Sequence, residues 1–399
     1  MRGRTILGAL VSCGLCNCVE RGDVLRPAVD NRDASGEARM ADISLGDLHS
    51  GAIANGTAYF WGSNDLGQLG LGNNSSQVTP TAVLGDITWR QLATGSGHSC
   101  ALDSLGNVYC WGDNRRGQLG QGDRTSRTSP GLVSLPQPAT QLSAKFEHSC
   151  ALLIDAELYC WGQNFEGQLG QADQPPAGDE TLADGLTPVR VGSANWRAVD
   201  AGQGHTCAIQ LDGGLWCWGR NSEHELGGDS RIQVREPIQV ASTGPWLGIA
   251  ACQNHTCGVM QDFTLWCWGQ NSGSGTNDGS PLGIAGATQL DTPTQVGVST
   301  DWTSVRSNTF HTCALNRSAE MWCWGRNIEG QLGTGDLELR SEPTRIASDI
   351  SAVNVGRFTT CAITESGDLR CTGENSDGQL GTGDLNRRST LTSIVVANY

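Results

Sequence analysis

The residues best suited to covalent chemistry are cysteines that recur in pairs with nine residues between the two members. Six such pairs occur, Cys100 with Cys110, Cys150 with Cys160, Cys207 with Cys217, Cys257 with Cys267, Cys313 with Cys323, and Cys361 with Cys371. In a β-hairpin with a three-residue turn, the two members of each pair stand opposite each other, at a separation that a disulfide bridges. Zinc is the alternative, but its ligand pairs are usually closer in sequence and four ligands must converge. We therefore predict six disulfides, formed in an oxidising compartment.

A seventh copy of the same sequence unit provides an internal control for the disulfide prediction. This copy has Gly51 and Phe60 at the two cysteine positions, so both thiols are missing together. Paired loss is what a covalent bridge predicts, because independent thiols would be lost singly. Cys252 belongs to no pair and occupies a position where other copies have glycine, so we predict a small buried residue.

Histidines and aspartates also recur at fixed positions of the unit. The histidines are His49, His98, His148, His205, His255 and His311, and the aspartates are Asp123, Asp173, Asp336 and Asp384. Equivalent histidines of successive units are too far apart for one metal ion, so we predict that each imidazole bonds nearby backbone. The aspartates lack the alternate-position spacing of a calcium loop and are predicted to form turns. The sequence also lacks a nucleophile elbow, a phosphate loop and a His-Glu-x-x-His motif, so we predict no metal, no cofactor and no catalytic site.

The elements that position these residues follow from an internal repeat. A Trp-Gly dipeptide recurs about every 50 residues, and Thr372-Gly373 occupies the seventh place; the six dipeptides begin at Trp61, Trp111, Trp161, Trp218, Trp268 and Trp324. The best-preserved unit, residues 97–120, alternates in strand fashion on both sides of a Gly-Asn turn, which predicts a hairpin. A strand before and a strand after complete about four per unit, as in propeller blades. We predict an all-β, seven-bladed propeller over residues 41–399.

The repeat resembles that of a known family. Gly-x-x-His-[Ser/Thr]-Cys-Ala-Leu, then Cys-Trp-Gly-x-Asn, then Gly-Gln-Leu-Gly-x-Gly-Asp is similar to the regulator-of-chromosome-condensation repeat, and the likeness covers residues 41–399. The resemblance implies a seven-bladed β-propeller. It leaves function open, since the founding member is a nucleotide-exchange factor for a small GTPase and a secreted bacterial member inhibits β-lactamase.

The two ends of the chain suggest how the ring closes. The first unit begins at Ala41 without a preceding Pro-x-x-Val strand, and residues 391–399 form a strand of that type. We therefore predict that the C-terminal strand completes the blade begun by the N-terminal one, which would leave no long unpaired edge.

The first 40 residues predict export. Two arginines and a short apolar run precede Cys13, and Leu10-Val11-Ser12-Cys13 is similar to a bacterial lipobox. We predict a signal peptide over residues 1–13, lipid attachment at Cys13 and a flexible tether over residues 14–40. The protein would then be an outer-membrane or cell-surface lipoprotein of a bacterium; an ordinary cleaved signal is the alternative, and the state of Cys16 and Cys18 stays open.

The charge balance restricts the class of partner. Acidic residues outnumber basic ones 41 to 26, for a net charge of −15, and Lys145 is the sole lysine. Phosphate backbones and anionic lipids require clustered cations, so we expect no nucleic acid and no membrane contact beyond a lipid anchor.

Two insertions interrupt the repeat at equivalent points and are therefore predicted to share one face of the propeller. Residues 172–187 contain the acidic residues Asp173, Asp179, Glu180 and Asp184, and residues 272–291 contain Asp278 and Asp291. The two interpretations are loops that bind a partner and loops that are merely tolerated in solvent.

The function predicted from these observations is a non-enzymatic, monomeric, surface-displayed propeller that binds a protein through one face. The identity of that protein and the face it uses are not encoded in any motif. An outer-surface protein that binds or cleaves carbohydrate is the first alternative. Guanine-nucleotide exchange, implied by the family resemblance alone, is the second.

Overall fold

The structure is a computed structural model that describes residues 40–172, 184–228, 230–271 and 279–396. Within these ranges the chain forms 28 β-strands in seven four-stranded antiparallel sheets. No helix that could span a membrane is found among these residues. The prediction of an all-β, seven-bladed propeller is therefore confirmed. Cys13, the predicted signal peptide and residues 14–39 of the predicted tether lie outside the described residues, and Met40, the last residue assigned to the tether, is the first residue of the first strand.

Each blade consists of four consecutive strands. Blades one to four contain β1 (Met40–Leu45), β2 (His49–Ala54), β3 (Thr57–Gly62), β4 (Gln77–Ala82); β5 (Trp89–Thr94), β6 (His98–Asp103), β7 (Val108–Gly112), β8 (Arg127–Leu132); β9 (Ala139–Lys145), β10 (His148–Leu153), β11 (Leu158–Gly162), β12 (Gly185–Arg190); β13 (Trp196–Ala201), β14 (His205–Gln210), β15 (Leu215–Gly219), β16 (Val234–Gln239). Blades five to seven contain β17 (Trp246–Ala251), β18 (His255–Met260), β19 (Leu265–Gln270), β20 (Gln289–Gln295); β21 (Trp302–Ser307), β22 (His311–Asn316), β23 (Met321–Gly325), β24 (Arg340–Ala347); β25 (Ile350–Val355), β26 (Thr359–Thr364), β27 (Leu369–Gly373), β28 (Arg388–Ser393).

The hydrophobic core lies between blades rather than within them. Between blades two and three, for example, Leu102 and Leu119 of one blade pack with Leu142 and Trp161 of the next. The second strand of a blade is buried along its whole length, as in His98–Asp103, whereas the fourth strand is largely exposed. A single blade would leave these apolar faces in water, so the ring is the unit that folds.

All six predicted disulfides are present, each joining the second and third strands of a blade. Their sulfur atoms are bonded in blades two to seven, and Cys100 faces Cys110 directly in the strand register. In blade one Gly51 faces Phe60, and a Cβ atom on Gly51 would lie 2.7 Å from the Phe60 ring. The phenyl ring thus fills the space that a disulfide occupies in the other blades. Cys252 is free and buried, as predicted.

The predicted mode of ring closure is wrong. The C-terminal strand β28 pairs with β27 in its own blade, and blade one already has a fourth strand, β4. The error came from placing the proline-containing strand at the start of the unit, whereas Pro80 lies in the last strand of its blade. The ring closes instead through contacts between blades seven and one, in which Trp61 Nε1 donates to the Gln379 carbonyl at 2.9 Å.

The Trp61 bond at the seam between blades seven and one recurs at the boundaries that precede blades two to six, whereas blade seven has Thr372 at the tryptophan position and its hydroxyl donates to the Gly330 carbonyl at 2.8 Å. At the boundary of blades one and two, Trp111 Nε1 and Ser99 Oγ both donate to the Gln68 carbonyl, at 2.9 and 2.8 Å. The equivalent tryptophans of blades three to six make the same bond to the preceding blade. We call this arrangement the blade clasp: a Trp and a hydroxyl that share one carbonyl of the preceding blade's Gly-Gln-Leu-Gly loop or its counterpart.

The recurring histidines belong to the same boundaries. The Nε2 atom of each bonds a hydroxyl in the following blade, as between His98 and Ser149 at 2.9 Å. The prediction that they bond nearby backbone is therefore wrong for the Nε2 atoms, whose partners are hydroxyl groups of the next blade. The structural role that it assigned is confirmed.

The recurring aspartates form turns, as predicted. Asp123 Oδ1 accepts the Thr125 backbone N–H at 2.8 Å, and Asp336 and Asp384 accept the equivalent N–H groups. Asn114 Nδ2 donates to the Asp123 carbonyl and fixes the same loop. Asp173 lies outside the described residues.

Candidate functional site

One face of the propeller gathers the features that differ between blades. Because strands alternate in direction, the loops from first to second strand and from third to fourth strand lie on the same side of every blade. The insertions 172–187 and 272–291 follow the third strands β11 and β19, so they begin on this side. We call it the insertion face, and the side carrying the turns between second and third strands the opposite face.

Of the acidic residues predicted to bind a partner, Asp173, Asp179, Glu180 and Asp278 lie outside the described residues. Asp184 is described but does not face solvent, which corrects the prediction for this residue. Its side chain is 0% exposed, with Oδ2 at 2.7 Å from Arg124 Nη1 and 3.8 Å from Arg116 Nη1. Burial raises the pKa of Asp184, and the Arg124 hydrogen bond opposes that rise. Asp184 therefore anchors the end of the insertion.

Asp291 keeps a solvent-facing carboxylate, with a side chain that is 54% exposed. Its Oδ1 accepts a hydrogen bond from Gln289 Nε2 at 2.8 Å and lies 3.6 Å from His224 Nε2. His224 is buried and accepts a hydrogen bond from Arg231 Nε at 2.8 Å. Asp291 is thus the one described member of the predicted acidic set that is available to attract a partner.

The insertion face also carries an aromatic cluster that sequence reasoning missed. Phe310 and Phe358, from the first loops of blades six and seven, stack with ring centroids 5.4 Å apart and planes 13° apart. The Arg326 guanidinium lies 4.9 Å from the Phe310 centroid, and that of Arg357 lies 5.1 Å from the Phe358 centroid. We call these four residues the Phe–Arg platform. Aligning the seven units would have revealed it, because Gly97 occupies the equivalent position in blade two.

The platform residues are not fully buried in the core. Both phenylalanines are partly exposed and Arg357 is exposed, whereas Arg326 is held by Glu329 with an N···O distance of 3.0 Å. Leu48 of blade one stands at the equivalent loop position and is 39% exposed. The platform therefore presents flat apolar surface flanked by positive charge.

The central channel is lined by the first strand of every blade and contains a cavity of about 290 Å³. Lys145, the sole lysine, crosses it from blade three, and its Nζ donates to the Ala251 and Ser307 carbonyls at 2.9 Å each. Gln91 bonds both the N–H and the carbonyl of Leu142 in the next blade. The polar groups of the channel thus join blades to one another.

Asp42 occupies in blade one the channel position that Gln91 has in blade two. Its Oδ2 accepts the Leu92 N–H at 2.6 Å, but a carboxylate has no hydrogen to offer the Leu92 carbonyl. Burial raises the pKa of Asp42 to about 7, against the opposing effects of the Leu92 N–H and of Arg306. Because the folded pKa exceeds the unfolded value, stability from the protonated form is complete below pH 4 and is lost as pH rises through 7.

We therefore expect Asp42→Asn to stabilise the protein above pH 7, by roughly 1–2 kcal/mol after allowance for solvent in the channel. The advantage should shrink below pH 5, where Asp42 is itself protonated. Urea unfolding of both proteins at pH 5 and pH 8 measures the difference. Gln91→Glu is the matched reverse change and should lose stability at pH 8; equal stability of all three proteins at both pH values would contradict the assignment.

The described part of the chain offers no cluster of side chains suited to metal binding or to nucleophilic attack. No group of three His, Cys, Asp or Glu side chains there is arranged to hold a metal ion. Burial raises the pKa of the Cys252 thiol to about 12, and the thiolate is the reactive form.

Sequence comparison identifies the repeat. The profile of the Regulator of chromosome condensation (RCC1) repeat matches residues 55–102, 106–152, 155–209, 212–259 and 318–363. A second profile of the same repeat matches residues 89–118, 139–168, 196–225, 302–331 and 350–379. RCC1 domain-containing protein RUG3, mitochondrial, from Arabidopsis thaliana is 29% identical over 323 residues, which are 79% of this chain and 72% of that protein.

Solved structures agree on the fold. Human WBSCR16 superposes with a TM-score of 0.76 at 19% identity, covering 85% of this chain and 94% of that one. Prp20p from Saccharomyces cerevisiae superposes with a TM-score of 0.72 at 21% identity, covering 85% of each chain. At such identities the likeness establishes the propeller and leaves the function to be argued from the surface.

Proposed function

Because the chain belongs to the regulator of chromosome condensation repeat family, we propose that it is a non-enzymatic propeller scaffold that binds another protein through the insertion face. The side chains that recur from blade to blade are engaged in the blade clasps, the turns and the disulfides. A specific partner must therefore be recognised by residues that differ between blades. The Phe–Arg platform is the observation that carries the proposal.

The platform has the composition of a binding hot spot. Aromatic and arginine side chains contribute most of the energy in protein interfaces, because they bury large rigid surfaces and hydrogen-bond at their edges. Phe310 and Phe358 support each other by stacking, so little side-chain freedom is lost on binding. Binding to a protein is in keeping with the family, since the yeast relative Prp20p has been characterised for its binding to Gsp1p and histones.

Charge supplies the second part of the proposal. The sequence of the two insertions contains Asp173, Asp179, Glu180, Asp278 and Asp291, in a chain of net charge −15. We propose that they draw in a partner whose surface is basic or polar opposite the insertions and apolar where it docks on the platform. The association rate should fall as salt screens this attraction over ~8–10 Å. Nucleic acid is not proposed, because acidic residues outnumber basic ones 41 to 26 and phosphate backbones require clustered cations.

Display outside the cell is part of the same proposal. A signal over residues 1–13 and lipid on Cys13 would place the propeller on an outer membrane or cell surface, where the six disulfides are stable. Incorporation of a labelled fatty acid into the full chain tests the anchor. Cys13→Ser should abolish labelling, and retained labelling of that variant would overturn the lipid assignment.

The binding test compares the two faces. A partner is isolated by crosslinking to the purified full chain and its affinity is measured with Phe310→Ser/Phe358→Ser. We expect at least 30-fold weaker binding, as loss of two hot-spot residues implies. The matched control is Leu105→Ser/Leu211→Ser, which removes apolar groups that are 73% and 61% exposed on the opposite face. An unchanged affinity for the platform variant, or an equal loss for the control, would contradict the proposal.

The insertions are tested separately from the platform. Shortening both to the length of the blade-two loop should leave folding intact, because loop length contributes little to stability. The association rate with the same partner should fall several-fold at low salt and converge with that of the full chain at high salt. If the shortened protein associates equally fast at low salt, the insertions are tolerated loops and only the platform binds.

A further inference from the structure

A second concave surface lies on the outer wall between blades five and six. It forms an open cleft of about 640 Å³, larger than one amino-acid side chain and within the range of small-ligand sites. Its lining includes the connection from β20 to β21 and residues of the β22–β23 hairpin, which lie toward the opposite face. Ile284, from the 272–291 insertion between β19 and β20, completes the lining. None of the four residues of the Phe–Arg platform lines this wall pocket.

The walls of the pocket are mainly aliphatic and aromatic. Ile284, Val296 and Val298 line one side, and Trp322 and Pro343 line the other. Val298 is 93% exposed, so its apolar surface is left uncovered at the rim. Trp322 is partly exposed and meets Trp302 edge-on, with centroids 6.2 Å apart and planes at 83°. Such walls favour an aliphatic chain over a ligand that is polar along its whole length.

The charges of the pocket are carboxylates. Asp301, Glu320 and Glu342 line it. Glu320 is neutralised by Arg345, with an N···O distance of 2.7 Å, and accepts a hydrogen bond from Asn316. Asp301 and Glu342 form no ion pair within the described ranges, so the pocket retains negative charge. Arg317, which follows the end of β22, stacks over Phe263 at 3.5 Å from its ring centroid.

We propose that the wall pocket binds a short peptide segment through the side chain of a lysine or arginine. The aliphatic stem of such a side chain would lie along Ile284, Val296 and Pro343, as long cationic side chains do on apolar surface. The charged head would reach Asp301 and Glu342, and the Trp322 ring would add a cation–π contribution. The volume beyond one side chain accommodates the flanking residues of the peptide.

Three blocked peptides separate the contribution of the cationic head from that of the aliphatic stem of the bound side chain. Blocked tripeptides Gly-Lys-Gly, Gly-norleucine-Gly and Gly-Glu-Gly are titrated into the full chain and followed by calorimetry and by indole NMR signals. We expect the lysine peptide to bind at least tenfold more tightly than the norleucine peptide, and the glutamate peptide not to bind. Equal binding of lysine and norleucine peptides would overturn the cation assignment, and a neutral oligosaccharide that binds where the peptides do not would overturn the ligand class.

The substitutions in the wall pocket have a control at the equivalent position of another blade. Glu342→Gln and Asp301→Asn should each weaken the lysine peptide about threefold to tenfold. Glu236 precedes Pro237 in β16 as Glu342 precedes Pro343 in β24, and Glu236 is exposed but outside the pocket. Glu236→Gln should leave the affinity unchanged, and an equal loss would show general attraction to an acidic protein instead of a site. Variants of the Phe–Arg platform should not alter this binding, so its outcome is independent of the proposed function.

Discussion

Acidification from pH 7 to pH 4 should unfold the protein cooperatively, because the buried histidines between blades must take up protons when the ring opens. Burial lowers the pKa of His49, His148, His255 and His311 to about 3 and of His98 to about 4, and it also lowers the pKa of His205. In the unfolded chain these imidazoles titrate near pH 6.5. Below that pH the unfolded state binds more protons, so stability is complete above 6.5 and is lost as pH falls toward the folded pKa values.

The size of this effect exceeds that of any single substitution. At pH 4, each histidine with a pKa near 3 favours unfolding by up to about 3 kcal/mol, and domains are stable by only ~5–15 kcal/mol. Lys145 lowers the pKa of His148, His205 and His255 further, because its positive charge repels a protonated imidazole. Carboxyls whose pKa burial raises act in the opposite direction; they are Asp42, Asp47, Glu147, Glu166 and Asp184.

Urea unfolding between pH 7.5 and pH 4.5, followed by tryptophan fluorescence, measures the proton uptake. Below pH 6, the slope of the free energy of unfolding against pH should correspond to the uptake of several protons on unfolding. His311→Gln should lower that slope by about one proton while retaining a hydrogen-bonding group. A protein whose stability is flat over this range would refute the inference that the histidines are buried and neutral.

Reduction of the six disulfides should cause the second large loss of stability. Each bridge closes a short loop, with a sequence separation of 10, and should contribute ~2–3 kcal/mol. Together they rival the whole stability of a domain, so we expect the melting temperature to fall by more than 15 °C in strong reductant. Thiol titration of the native, non-reduced chain should find no more than three or four free thiols. Twelve or more would contradict the bridges.

Blade one offers the matched control for this prediction. Replacing one bridge by alanines, Cys100→Ala/Cys110→Ala, leaves a cavity in addition to losing the cross-link. Cys100→Gly/Cys110→Phe instead transfers the Gly51–Phe60 arrangement of blade one into blade two. We expect the second variant to be more stable than the first in thermal melts. If both melt alike, filling that space does not substitute for the bridge.

The sequence predicts the parts of this structure that are local and repeated. The hairpins, their disulfide register and the aspartate turns depend on residues close in sequence, and each pattern is seen several times. The blade count follows from the repeat itself. Ring closure was misplaced because strand order within a repeat is cyclic, so a sequence of seven units does not mark where a blade begins.

The features that the sequence did not predict join residues of different blades. The histidine partner, such as Ser149 for His98, lies in the next unit, so a pattern within one unit cannot show it. Asp184 looked like part of an acidic loop because Arg124, which pairs with it, is 60 positions away. The Phe–Arg platform combines blades six and seven at positions that vary between units.

The blade clasps have a consequence for the topology that the chain tolerates. No strand is shared between the first and last blades, and the seam between them has the Trp-to-carbonyl bond that also precedes blades two to six. Because no sheet crosses this seam, the ring could be opened at any of its seven blade boundaries. The present seam is the boundary without an interblade histidine bond, since blade seven has Thr359 at that position. Joining the ends of the propeller and opening it at another interblade connection would conserve every sheet, every bridge and every clasp. A circular permutation of the gene by whole blades would therefore require no new contact between blades.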